Sequence, residues 1–208
     1  MRRAPLLALV LAAAACGGGK HAAKTVGGCT VVSQPKPGAR TAPRPQAALD
    51  PAKRYDVRFL TNCGSFTVAL AVKAAPQTTA SFASLVEHRY FDRTVFHRIV
   101  PGFVIQGGDP TASGLGGPGY TVVEPPPAGT RYTSGLVAMA KAGNEPRGAS
   151  GSQFFVVTAG DARLTADYAV VGRVVAGMDV VRRIGRLGDA SEQPTAVVEI
   201  EKATLAVH

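Results

Sequence analysis

The sequence predicts an all-β domain, a sandwich or a closed barrel, and three observations carry that expectation. From residue 55 onward, short apolar or alternating runs recur between clusters of Gly, Pro and Asn. Only two stretches repeat at helical spacing, one with Phe82, Leu85 and Val86 and one with Val180, Val181 and Ile184. Many short strands with two helices belong to sheet architectures that close on themselves or stack face to face. A chain of 208 residues holds one such domain plus appendages.

The appendage comes first. Arg2 and Arg3 precede an apolar run over residues 6–15 that is too short to span a bilayer and has the layout of a secretory signal. Its end, Leu11-Ala12-Ala13-Ala14-Ala15-Cys16, resembles a bacterial lipobox, with Ala13 where the lipobox has leucine. The resemblance implies lipidation of Cys16 and a protein anchored on the extracytoplasmic face of the cell membrane, with plain secretion as the alternative. Residues 17–54 read as a disordered tether, because the run Gly17-Gly18-Gly19 gives flexibility and Pro35, Pro37, Pro43, Pro45 and Pro51 oppose both helix and sheet pairing. With Cys16 lipidated, Cys29 and Cys63 remain as an even pair in an oxidising compartment, either bridged or as two free thiols.

Charge narrows the partners. The net charge of +9 is concentrated in residues 1–54, where nine Lys/Arg face one acid, Asp50. Residues 55–208 carry fourteen Lys/Arg against thirteen Asp/Glu. A nucleic-acid binder needs its basic stripe on the fold, so none is expected as a partner. The basic tether would be weakly attracted to anionic headgroups. No extended apolar stripe demands a second copy, so a monomer is expected.

Within residues 55–207 the elements follow in order. Val57, Phe59 and Thr61 alternate with other side chains, Asn62-Cys63-Gly64-Ser65 turns, and Phe66-Thr67-Val68-Ala69-Leu70 returns, which is a hairpin. Thr78 or Thr79 can cap the first helix, which should stop near Tyr90. Two β-prone runs then meet at Pro101-Gly102, and strict alternation puts Phe96, Arg98 and Val100 on one face and Val95, His97 and Ile99 on the other. An arginine beside two apolar residues either snorkels into water or waits in a concavity for a ligand. Further strands are expected at 135–140, 154–158, 168–174, 196–200 and 203–205, with the second helix at 179–184.

The run Phe96-His97-Arg98-Ile99-Val100-Pro101-Gly102-Phe103-Val104-Ile105-Gln106-Gly107-Gly108-Asp109 resembles the F-H-R-x-x-P-G-F-x-x-Q-G-G-D signature of the cyclophilins, the peptidyl-prolyl cis-trans isomerases. A second block of that family recurs as Gly151-Ser152-Gln153-Phe154-Phe155-Val156. Over residues 55–207 the resemblance implies a closed, antiparallel, eight-stranded β-barrel with a capping helix at each end. It also implies an enzyme that accelerates X-Pro rotation in unfolded or flexible segments, here of envelope or secreted proteins, with proline-containing polypeptides as partners. A weakly catalytic module that only binds proline segments is the alternative.

Such a reaction makes no demand for a cofactor. X-Pro rotation must break amide resonance against a barrier of about 18–20 kcal/mol, and lowering it to roughly 13–14 permits about 10³ turnovers per second. The need is for a donor that keeps its proton, aimed at the twisted amide beside an apolar slot. By resemblance, Arg98 is that donor and Gln106 steadies it while bonding substrate backbone. Phe103, Val104, Phe155 and Leu164 match the proline pocket, and Ala140 and Lys141 match positions that run beside the peptide. Ser152 and Gln153 support the pocket through backbone bonds. Three positions depart from the common pattern: Val104 for methionine, Tyr168 for histidine and Arg163 for an aromatic residue. Regular pleating would point Phe103 and Val104 oppositely, so both reach one site only if the backbone near Pro101-Gly102 is irregular.

Other motifs are discounted. Gly114-Leu115-Gly116-Gly117-Pro118-Gly119 has the form of a dinucleotide loop but no helix follows it. The stretch around Ser152 narrowly misses a nucleophile elbow. His21, His88, His97 and His208 show no metal-ligand spacing, His97 reads as a packed strand residue satisfied by a neighbour, and Asp109 reads as a turn residue.

Overall fold

A computed structural model of the chain describes residues 23–208. The segment to residue 22, with Cys16, lies outside the described residues. The first two strands, β1 (Thr25–Val26) and β2 (Cys29–Thr30), form a small hairpin. The expected hairpin follows as β3 (Tyr55–Thr61) and β4 (Gly64–Leu70), turning at Asn62-Cys63 with Gly64 at φ +116°. Asn62 fastens this turn: its amide donates to Thr30 O at 2.7 Å and Val197 O at 2.9 Å.

Helix α1 is Pro76–Glu87, with proline in its first turn where the missing N–H costs nothing. Neither Thr78 nor Thr79 caps it. Thr79 Oγ1 donates within the helix to Ala75 O at 2.7 Å, while the Glu124 carboxylate accepts the N–H groups of Gln77 (3.1 Å) and Thr78 (2.7 Å). A carboxylate at the first turn satisfies orphan donors and suits the helix dipole. The helix ends before Arg89, which sits at φ +55°.

Next come β5 (Thr94–Val95), β6 (Arg98–Val100) and β7 (Val104–Gly107), with Gly102 turning at φ +70°. The expected alternation through this region fails. Residues 96 and 97 belong to neither strand, so Phe96 and Ile99 both enter the main core while Arg98 and Val100 stay half-buried. The remaining elements are β8 (Val122–Val123), β9 (Leu136–Met139), β10 (Ala149–Ser150), β11 (Phe154–Val157), β12 (Val170–Ala176), α2 (Met178–Gly185) and β13 (Glu199–Val207). Tyr168 therefore precedes its strand, and the two closing strands expected at 196–205 are one, bulged between Ile200 and Lys202.

Nine strands make one antiparallel sheet in the order β5-β13-β3-β4-β12-β9-β11-β7-β6. Its two outermost strands are consecutive in the chain, so the sheet must curl until they meet. Only Phe96 and His97 join them, and an isolated bridge from Val95 to Asp109 spans the seam. The cyclophilin-like barrel expected from sequence is thus present, with nine strands in place of eight and a seam closed by a covalent link instead of a full ladder. Inside, Phe59, Phe66, Phe82, Phe91, Phe96 and Phe154 pack in one core, with Phe59 and Phe66 stacked at 5.0 Å. A second, smaller cluster of Val104, Tyr132, Leu136, Ala138, Phe155 and Val157 lies on the outer side of the same strands.

The described part of the expected tether, residues 23–54, is laid against the domain. Cys29 and Cys63 are bonded, and Thr30 N donates to Asn62 O at 2.8 Å. Further along, Arg40 Nη1 donates to the carbonyls of Tyr90 and Asp92, both at 2.7 Å, and Ala42 N donates to Pro118 O at 3.0 Å. Proline excludes helix and ladder but leaves an extended chain free to dock through its other amides and side chains.

Candidate active site

The pairing of β6 with β7 places Arg98 directly opposite Gln106. Arg98 Nη1 donates to Gln106 Oε1 at 3.2 Å, and Arg98 Nε donates to Glu192 Oε2 at 2.6 Å. Gln106 Nε2 donates in turn to Gln153 Oε1 at 3.1 Å. Gln153 spends its own Nε2 on the carbonyls of Gly114 (2.8 Å) and Gly116 (3.1 Å). Gln153 braces the rim twice over, since its backbone carbonyl also accepts Ala140 N at 2.8 Å, the kind of backbone bond expected of it.

Asp109 holds the glycine loop that supplies those two carbonyls. Its carboxylate accepts the N–H groups of Thr111 (2.7 Å), Ser113 (3.1 Å), Gly114 (2.7 Å) and Gly116 (3.1 Å), and the Thr111 hydroxyl at 2.7 Å. Burial by itself would raise the Asp109 pKa, but the bonds from Thr111, Gly116 and Gly114 outweigh it and hold the carboxyl below its ordinary value. Asp109 is therefore an organiser of the loop. The Ser152 hydroxyl steadies the preceding turn by donating to Gly108 O at 2.7 Å.

Beside the guanidinium lies an apolar slot of about 180 Å³. Its walls are Phe103, Val104, Phe155, Leu164 and Tyr168, with Arg98, Gln106, Ala140 and Lys141 along its edge. All of these are residues named from sequence, whereas Ser152 and Gln153, named there as supports, lie outside the slot lining. The irregularity that Phe103 required is real: it precedes β7, its N–H donates to Val100 O at 3.0 Å, and its carbonyl accepts from Thr158 (2.9 Å) and Ala159 (3.2 Å). Tyr168 meets Phe155 edge-on at 5.4 Å. Lys141 Nζ stands 5.8 Å from the Tyr168 ring centre and donates to Ala142 O and Glu145 O. A wider cleft of about 570 Å³, walled by the glycine loop and Gln153, shares Gln106, Ala140 and Lys141 with the slot. Arg163, at φ +52°, is exposed and lies outside the slot lining.

Two contributors escaped the sequence reading. Tyr132 is fully buried beneath the aromatic wall, where its hydroxyl donates to Tyr168 O at 2.7 Å and accepts from Tyr168 N at 3.0 Å. Glu192 reaches Arg98 across 94 residues of sequence. Neither contact has a local signature. His97 is neither in a strand nor satisfied, since both ring nitrogens are buried without a partner and burial lowers its pKa. Gln153, the amide beside it, is already committed to the glycine loop and Gln106. Among the described residues, no three His, Cys, Asp or Glu side chains converge as metal ligands.

The family model for cyclophilin type peptidyl-prolyl cis-trans isomerases matches residues 56–205. The peptidyl-prolyl cis-trans isomerase-like 1 of Neurospora crassa is 40% identical over 153 residues, 71% of this chain and 92% of that protein. The isomerase ppi1 of Schizosaccharomyces pombe is 35% identical over 71% of this chain and 97% of its own length. Among solved structures, a Cryptosporidium parvum cyclophilin superposes with a TM-score of 0.67 at 29% identity, covering 74% of this chain and 98% of that one. A further structure of that protein, determined in the presence of the dipeptide Ala-Pro, gives a TM-score of 0.66 at 30% identity. On its signature, its rolled sheet and these relatives together, the chain belongs to the cyclophilin-type peptidyl-prolyl cis-trans isomerase family.

Proposed function

We infer that this chain catalyses cis-trans rotation about X-Pro bonds in polypeptides, with Arg98 as the donor to the twisting amide. One observation carries the reading: a guanidinium, anchored on two side chains, edges an apolar slot of about 180 Å³ with room for a proline ring. As the bond twists, amide resonance is lost and the prolyl nitrogen becomes pyramidal, with a lone pair able to accept a hydrogen bond. A donor placed there binds the twisted state better than either planar isomer, which is what lowers a barrier. Arginine suits the task because its fork keeps its charge at any working pH. Phe103, Phe155, Leu164 and Tyr168 grip the ring, Gln106 contacts the substrate backbone, and the flanking residues run past Ala140 and Lys141. The Ala-Pro dipeptide used with the Cryptosporidium parvum relative supports an X-Pro ligand.

The amino-terminal sequence supports an exported protein carrying a lipid on Cys16 and acting on envelope or secreted clients, and the lack of an extended apolar stripe in the sequence supports a monomer. The Cys29–Cys63 bond fits an oxidising compartment. Fractionation of a Cys16→Ser variant checks the anchor: release from the membrane is expected, and unchanged retention removes it.

Exchange NMR on an Ala-Pro peptide tests the activity. Wild type should accelerate isomerisation and Arg98→Ala should lose about 10²-fold, the usual cost of removing one preorganised donor. Equal rates for the two would leave only a module that binds proline segments.

A further inference from the structure

Glu192 sits in the loop between α2 and β13, and the loop is built to deliver it. Asp189 Oδ1 accepts the N–H groups of Ser191 (2.8 Å) and Gln193 (2.9 Å), and Asp189 O accepts Glu192 N at 3.1 Å. Glu192 itself adopts φ +64°, a left-handed conformation that a β-carbon disfavours. That backbone places its carbonyl 3.0 Å from Ile99 N while its carboxylate takes Arg98 Nε at 2.6 Å. One residue of the loop thus grips two successive residues of β6.

The contact is poorly placed to stabilise the fold. The Arg98 and Glu192 side chains are 34% and 46% exposed, and ion pairs in that setting add little to stability. Its geometric effect is larger. With Nε held by Glu192 and Nη1 by Gln106, the guanidinium plane is fixed at two points on opposite sides, leaving Nη2 to serve the amide in the slot. A long side chain held at one point would swivel about its last torsions and share its time with water.

We propose that Glu192 is a positioning residue for prolyl isomerisation, orienting the Arg98 fork from the side opposite Gln106. The proposal rests on Arg98 being the catalytic donor. Because the carboxylate acts on the aim of the donor and not on the slot, its loss should fall on kcat and spare KM.

The test uses the full chain with Glu192→Ala and Glu192→Gln, each also in an Arg98→Ala background. Glu192→Ala should lower kcat about tenfold, as expected when a reacting group is misaligned, with KM nearly unchanged. Glu192→Gln keeps an oxygen acceptor for Nε and should recover most of that loss. In the Arg98→Ala background Glu192→Ala should have no further effect, which is the signature of two residues acting as one. The Arg98 Nε–H resonance reads orientation directly and should exchange faster with water in Glu192→Ala. Wild-type kcat in Glu192→Ala, or an equal fold-loss without Arg98, would overturn the assignment. An inactive wild type would instead overturn the isomerase reading, and the Nε–H exchange would then decide by itself whether Glu192 holds Arg98.

Discussion

At the residue scale, the chemistry asks for a hydrogen-bond donor and not for a proton transfer. Burial lowers the His97 pKa below its ordinary value, so that imidazole loses its proton more readily than a free one. We therefore expect kcat/KM to vary little between about pH 7 and about pH 9 when isomerisation is followed by exchange NMR; a bell-shaped profile would implicate a general acid or base. Arg98→Lys keeps the charge but loses the planar fork that meets Gln106 and Glu192 at once, so it should recover only a small part of the Arg98→Ala loss. Tyr132→Phe removes the hydroxyl that holds both backbone groups of Tyr168. That should cost about 1–3 kcal/mol in a urea melt, because buried polar groups lose their partner.

Elements show why residues far from the slot matter to it. The glycine loop is rigid through Asp109, whose folded pKa lies below its ordinary value. The unfolded chain binds that proton more readily, so the carboxylate's contribution to stability is complete above about pH 4 and is lost as pH falls through the depressed folded value. Loop amides 114 and 116 should consequently lose hydrogen-exchange protection in acid before the main core does. The amino-terminal extension braces the same loop from outside, through Ala42 N on Pro118 O and Gly38 N on Pro110 O, both at 3.0 Å. Its disulfide closes a sequence separation of 34 residues, for which the chain-entropy model gives about 4 kcal/mol as an upper value. Replacing Cys29 and Cys63 together by serine should lower the urea midpoint accordingly, while an unchanged midpoint would mean that the extension adds nothing to the fold. Gly177, at φ +77°, begins α2 where a β-carbon would collide with the carbonyl of Ser65, so Gly177→Ala should destabilise the domain in the same assay.

On the scale of the whole molecule, one rolled sheet serves two apolar clusters. The larger one carries the stacked phenylalanines and holds the barrel together. The smaller lies outside the same strands, roofed by loops, and its unfinished edge is the slot. β11 shows the economy of the arrangement, since Phe154 packs into the large core while its neighbour Phe155 points to the slot. From sequence, Phe155 is assigned to the slot only through the family resemblance, and the signature around Arg98 marks the slot's edge residues. Alternation failed where the chain leaves the ladder, at Phe96 and Phe103, because pleating constrains only residues that are paired.

The sequence by itself determined the sheet-rich class and the family-like motif that carries Arg98 and Gln106, because these rest on local period and on contiguous residues; it left Cys29 and Cys63 either bridged or free. Only the tertiary structure decided that Glu192 faces Arg98, that Tyr132 pins Tyr168, that Glu124 caps α1 and that residues 23–54 dock on the domain. Each of those contacts joins segments distant in the chain. Their pairing follows from how a nine-stranded sheet rolls until its outer strands meet, which no local pattern of residues encodes.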